Sequence, residues 1–160
     1  HYGKYLDRDL LFLGGFFHDI GKIWELSYER VTDYTTEGKL IGHLVMGVEL
    51  IDRKIRELEA QPGRLPGDGK FPEDKKLLVK HIILAHHGQL DYGSPKRPKC
   101  LEALVVHMID DLDSKVNSIR VFTEADQSPG RWTVLNKQYE RFFYKPDWAL
   151  EALNERTPES

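Results

Sequence analysis

The segment DRDLLFLGGFF, residues 7–17, is apolar in almost every position after its opening charges, and it ends directly on two ionisable side chains, His18 and Asp19. An acid ahead of such a run suits the start of a helix buried on most sides. The chain therefore carries an imidazole and a carboxylate into its interior, and the rest of the fold must accommodate them. The same conjunction recurs downstream. Thr35 or Thr36 offers an N-cap to a second run in which Leu40, Ile41, Leu44, Val48, Ile51 and Ile55 recur at three- and four-residue spacing, with His43 bordering the stripe. A third run starts at Pro72, carries Leu77, Leu78, Val79, Ile82, Ile83 and Leu84, and reaches His86 and His87, with Gly88 as its stop. The fourth, over residues 98–122, carries Leu101, Leu104, Val105, Met108, Ile109, Leu112, Val116 and Ile119 as its expected inward stripe, with Asp110 among them.

Between these runs, residues 24–34 are polar and partly β-prone, and the Gly- and Pro-rich stretch 61–72 reads as a loop. The tail, with Trp132, Tyr139, Phe142, Phe143 and Trp148, is apolar enough to pack as one or two short helices. Helical periods with short connections, and no convincing two-residue alternation, predict an all-α fold with a short helical C-terminal tail. A length of 160 residues with 40% hydrophobic content fits one core, so a single domain over 1–160 is expected.

Six polar groups, His18, Asp19, His43, His86, His87 and Asp110, thus lie on, beside or at the end of apolar helical faces. Buried imidazoles and carboxylates are costly unless paired or coordinated, and a shared positive centre is the simplest compensation. Imidazole and carboxylate donors without thiolates suit manganese, iron, zinc, cobalt, nickel or magnesium, as one ion or two. Two ions about 4 Å apart could clamp a phosphoryl group and activate water. Other readings of the same residues stand beside this one: His18 as a helix-end histidine, His43 as a buried histidine bonded to backbone, His86 and His87 as an exposed helix end. His81 and His107 read as structural, with His107 one turn before Asp110 and able to orient it, and Asp113 could accept from a ligand histidine.

The formal net charge of −3 gives no global attraction to nucleic acid, so contact with a polyanion requires a local patch or bound metal. The loop holding Tyr92, Lys96, Arg97 and Lys99 supplies such a patch, with Tyr92 able to stack on a base and the cations able to meet backbone phosphates. A solvated basic turn is the alternative. A lone cysteine, Cys100, fits a reducing compartment, and no apolar run approaches the roughly 20 residues that span a bilayer. A cytoplasmic protein with no membrane partner is the expectation.

The run FFHDIGK, the dipeptide Gly42-His43, the HHG of residues 86–88 and IDDLDSK of residues 109–115 resemble the HD superfamily of metal-dependent phosphohydrolases. Within it the likeness is closest to the HD domain of the YhaM-type 3′-to-5′ exoribonucleases, through DRDLLFLGGFFHDIGKIWEL, HIILAHHGQLDYGSPKRPKCLEALVVHMIDDLDSK and GRWT. The resemblance implies an HD-type helical bundle and metal ligation by His18, Asp19 and Asp110, with Asp19 able to bridge. It also implies further coordination by His43, His86 and His87, and a phosphate-contacting Lys22, with Asp19 and Lys22 as the catalytic pair. Gly21 would allow a sharp turn. It implies cleavage of phosphodiester bonds in single-stranded RNA or nucleotides, and it leaves a homo-oligomer open. The superfamily's additional histidine on an upstream helix has no match among the seventeen residues before His18, His1 included. Truncation at the N-terminus, or a catalytically impaired HD-like module that binds a nucleotide or regulates, is the alternative this departure raises. The N-terminal OB-like domain of such exoribonucleases has no counterpart in these residues.

Overall fold

A computed structural model describes residues 1–29 and 31–146. Its helices are α1 (Arg8–Phe17), α2 (Lys22–Glu25), α3 (Thr36–Ile41), α4 (His43–Glu59), α5 (Glu73–Ala85) and α6 (Leu101–Ala125). The expected helical class holds. The β-prone stretch forms two short antiparallel strands, β1 (Leu26–Ser27) and β2 (Asp33–Tyr34), with Leu26 opposite Tyr34. Two compact units divide the chain, His1–Asp110 and Asp111–Ser160.

In the first unit, the Asp7 side chain caps α1 by accepting from the Leu10 amide at 3.0 Å. The Asp7 amide in turn donates to buried Glu102 at 2.8 Å. Helix α5 packs against both α1 and α4. The core joins Leu10 of α1, Ile51 and Ile55 of α4, Val79, Ile82 and Ile83 of α5, and Ala103 and Val106 of α6. Ile82 and Ile83 have no solvent exposure, so each contributes roughly 1.5–3 kcal/mol of apolar burial. Glycine at position 14 lets α1 settle onto α5, because a Cβ there would stand 2.9 Å from Ile82 Cδ1.

Three local expectations need correcting. The second run is two helices rather than one: Thr35 caps α3 through its hydroxyl, which accepts from the Gly38 amide at 2.9 Å, and the chain breaks at Gly42, where φ is +80°. A left-handed residue cannot continue the helix, so α4 restarts at His43 with its own axis, and Leu40, expected in the stripe, is exposed. The inward face of α6 is not its most apolar one. Glu102, Ala103 and Val106 are buried, whereas Leu101, Leu104, Met108, Ile109, Leu112 and Val116 are all exposed. This helix has apolar residues on two sides, and periodicity reports that a face is apolar, not which face is covered. Ala103, Val106 and Asp110 follow three- and four-residue spacing, so the small, covered face is the one that carries Asp110.

The third correction concerns the tail. Residues 126–146 contain no helix; they form the isolated antiparallel bridges Trp132↔Tyr144 and Asn136↔Arg141. Trp148 lies outside the described residues. The buried Lys145 ammonium donates to Asp126 Oδ2 at 2.8 Å and to the Ser128 carbonyl at 2.7 Å, while Asp126 Oδ1 accepts from the Val134 amide at 3.0 Å. Hydrogen bonds from Lys145 and Ser128 hold the Asp126 carboxyl well below the ordinary aspartate value. A depressed folded-state pKa stabilises at every pH above the unfolded value and loses that contribution as pH falls below it. Amide exchange at Thr133, Val134 and Lys145 should therefore accelerate below about pH 3.8 relative to the rest of the chain, and Asp126→Asn should produce that acceleration at neutral pH. Unchanged exchange in Asp126→Asn would contradict the assigned role of this pair.

Candidate metal centre

His18 and Asp19 follow α1, His43 is the first residue of α4, His86 and His87 follow α5, and Asp110 lies in α6. These are separate elements, and all six side chains belong to the first unit. The connection that brings them together runs through Gly21. Its φ of −64° is ordinary helical backbone, so the expected sharp turn is not what this glycine provides. A Cβ there would lie 2.0 Å from the His43 carbonyl oxygen. The absence of a side chain is what lets the segment after Asp19 abut the start of α4.

The donors fall into two groups, His18 with Asp19 and Asp110, and His43 with His86 and His87; within each, one ligand atom per residue lies within 4.8 Å of the others. Asp19 touches both. Its Oδ2 is 3.5 Å from His18 Nε2, and its Oδ1 is 3.5 Å from both His43 Nε2 and His86 Nε2. Asp110 Oδ1 stands 3.6 Å from His18 Nε2.

All four imidazoles are oriented from behind by the same device. His18 Nδ1 donates to the Gly15 carbonyl at 2.8 Å, His86 Nδ1 to the Ile83 carbonyl at 2.8 Å, and His87 Nδ1 to the Tyr92 carbonyl at 3.0 Å. His43 Nδ1 donates to Glu25 Oε1 at 3.0 Å. Each facing atom is a carbonyl or carboxylate oxygen, which can only accept, so each Nδ1 carries hydrogen and each neutral ring presents a bare Nε2. Those four Nε2 atoms point into the pocket. His43 Nε2 and His87 Nε2 approach to 3.3 Å, which sets two lone pairs against each other unless a cation or proton lies between them. Asp19 Oδ1 is buried and, among the described residues, is the side-chain polar atom left without a hydrogen-bond donor. An orphaned carboxylate oxygen facing bare imidazole nitrogens fits a divalent ion, and the mixed nitrogen and oxygen set fits the borderline to hard metals.

The protonation states agree with ligand duty. Burial opposes charge on Asp19, yet the Lys22 ammonium, hydrogen-bonded to its Oδ2, holds its carboxyl well below the usual range. At 2.6 Å, Lys22 Nζ is the close partner, on Oδ2. Burial, followed by the neighbouring His86 and His43, pushes the His87 imidazole below its ordinary 6.5, so it is neutral near pH 7.

Some expectations changed. Lys22 holds Asp19 and stands partly open to solvent. Tyr92 reaches the centre only through its backbone carbonyl, while its ring is exposed. Lys96 and Arg97 are exposed and lie outside both donor groups. Asp113 is exposed as well. His107 does not orient Asp110: its Nδ1 donates to the His86 carbonyl at 2.8 Å, and a Cβ on Gly88 (φ +78°) would sit 2.1 Å from the His107 ring. It braces the backbone that carries His86 and His87. His81, as expected, is structural; its Nε2 accepts from the Lys99 amide at 2.9 Å. Glu25 was missed altogether. The only signal for it was an acid a few residues beyond the His-Asp pair, and such spacing is common.

The sequence model of the HD domain family matches residues 1–115. The 3′-5′ exoribonuclease YhaM of Bacillus subtilis is 39% identical over 142 residues, covering 88% of this chain and 41% of the relative. The YhaM exoribonuclease of Oceanobacillus iheyensis is 40% identical over 144 residues, covering 89% and 42%. The chain thus spans about two fifths of the length of these relatives. No solved structure matches. Among the described residues, no helix is long and apolar enough to cross a membrane.

If these donors bind metal, manganese at about 100 times its Kd should stabilise the chain by about 2.7 kcal/mol. A rise in melting temperature for the wild type and none for Asp19→Ala, read by scanning fluorimetry, is the expected result. Separately, Gly21→Ala should cost roughly 1–3 kcal/mol in urea unfolding by overpacking against the His43 carbonyl, and should weaken the metal-induced rise.

Proposed function

The chain belongs to the HD domain family, and on that footing we propose that it is a metal-dependent phosphohydrolase domain that cleaves phosphodiester bonds at the 3′ end of single-stranded RNA. The observation that carries this reading is the Asp19 carboxylate, whose two oxygens face two separate groups of donors, one of them buried and without a hydrogen-bond donor. The RNA substrate rests on the matched relatives, which are named as 3′-5′ exoribonucleases.

His18, Asp19 and Asp110 would hold one ion, and His43, His86 and His87 a second, with Asp19 shared between them. Such ions, when bound, polarise a phosphoryl oxygen and lower the pKa of water. The protein's own part is orientation and charge. Four Nδ1–H donors anchored on oxygen keep the four Nε2 atoms fixed, so little reorganisation is needed as charge develops. Asp19 stays ionised across the physiological range, and His87 stays neutral. The Lys22 ammonium, 43% exposed, is placed where it can meet a phosphate oxygen while keeping Asp19 Oδ2 in position. In this reading the exposed ring of Tyr92 and the cations of Lys96 and Arg97 contact the strand beyond the scissile bond, the ring by stacking and the cations by charge.

Manganese-loaded chain should release mononucleotides from the 3′ end of a short unstructured RNA. Asp19→Asn should abolish turnover. Lys22→Ala should lower kcat by about 10²–10³-fold with metal content retained. Replacing Lys96 and Arg97 together by Ala should instead raise KM and flatten its dependence on salt. A metal-loaded chain that hydrolyses neither RNA, nor cyclic nucleotides, nor an activated phosphodiester would contradict the reading.

A further inference from the structure

Glu25 is the last residue of the four-residue helix α2 and is only 6% exposed, in a place where an unpaired carboxylate would be costly. One of its oxygens, Oε1, accepts twice from the same residue: from the His43 backbone amide at 2.9 Å and from His43 Nδ1 at 3.0 Å. Two hydrogen bonds to one residue fix both the position of its Cα and the rotation of its ring. Nearby chain geometry gives this contact its room. A Cβ on Gly38 would lie 2.2 Å from the Glu25 carbonyl oxygen. That carbonyl accepts from the Thr35 amide at 2.9 Å, so the start of α3 is tied to Glu25 as well. The other three imidazoles of the pocket lean on backbone carbonyls. His43 alone among them leans on a charged side chain, which raises ring basicity more than a neutral carbonyl does.

We propose that Glu25 is a positioning residue for the ion held by His43, His86 and His87, setting the occupancy of that position and leaving the His18, Asp19 and Asp110 position essentially independent of it. This rests on the two-ion reading above. Its geometric basis is selectivity: Glu25 contacts His43 and none of the three donors of the other group. With Glu25 in place, His43 Nε2 is directed at Asp19 Oδ1 and His87 Nε2. Without it, the ring loses its tautomeric preference and its orientation together.

The test is a manganese titration of the chain, with ions counted by elemental analysis and free manganese followed by electron paramagnetic resonance. The variants are Glu25→Ala, Glu25→Gln, His43→Ala and the Glu25→Ala/His43→Ala double. Wild type should bind two ions. Glu25→Ala should weaken one by about 10–100-fold and leave the other at wild-type affinity. Glu25→Gln keeps an acceptor oxygen without the charge, protects the fold, and should fall between. His43→Ala should lose the same ion, and adding Glu25→Ala to it should change nothing further, as expected for two residues acting in series. In the metal-free chain, histidine 15N shifts should report Nδ1–H at position 43 in wild type and Glu25→Gln, and a mixture in Glu25→Ala. Two ions bound equally well by wild type and Glu25→Ala would overturn the proposal while sparing the two-ion reading. Parallel weakening of both ions with a lowered melting temperature would overturn it in favour of a structural role. A wild type that binds fewer than two ions would overturn the two-ion reading and the proposal with it.

Discussion

The Asp19 carboxylate, with one oxygen buried against bare imidazole nitrogens, is the constraint on which the first unit depends. Carboxylates avoid such surroundings unless something positive joins them. Lys22 supplies a charge on the Oδ2 side, and Oδ1 is left facing His43 and His86. Backbone choices that look arbitrary in isolation follow from holding this group in place. Gly21 lacks a side chain so that the segment after Asp19 can reach the start of α4, and Gly42 turns left-handed so that α4 begins at His43 rather than continuing α3. The buried isoleucines of α5 hold His86 and His87 at the end of a helix that contacts both α1 and α4.

A second layer of contacts fixes the donors of this pocket from behind. Every imidazole in the pocket has its far nitrogen committed to an oxygen acceptor, and His107 secures the carbonyl of His86 in addition. Donors held this way would keep their geometry as charge moves, as the proposed reaction requires. The arrangement also separates roles. Glu25 acts on one donor group through His43, and Lys22 acts on the shared carboxylate.

Much of this was legible in the sequence, for a definite reason. His18, Asp19, His43, His86, His87 and Asp110 sit at the ends or on the covered faces of helices whose periodicity is strong, and polar residues in such places must meet one another. The helix starts at Asp7 and Thr35 were legible from capping chemistry. What stayed hidden depended on three-dimensional choice. The covered face of α6 is built from Ala103 and Val106, and its richer apolar stripe faces away, a distinction that periodicity cannot make. The aromatic tail forms bridges around the buried Asp126 and Lys145 pair, because two charged residues nineteen positions apart give no local signal of their partnership. Glu25 was invisible because its role is to accept from a ring eighteen residues away.

The central claim is that the two donor groups around Asp19 are two metal positions. Crystals grown with manganese and measured on both sides of its absorption edge test this most directly. The account predicts two anomalous peaks in contact with Asp19, one beside His18 and Asp110 and the other beside His43, His86 and His87. A map with no peak at Asp19, or with one peak that leaves His43 and His87 Nε2 facing each other, would contradict it.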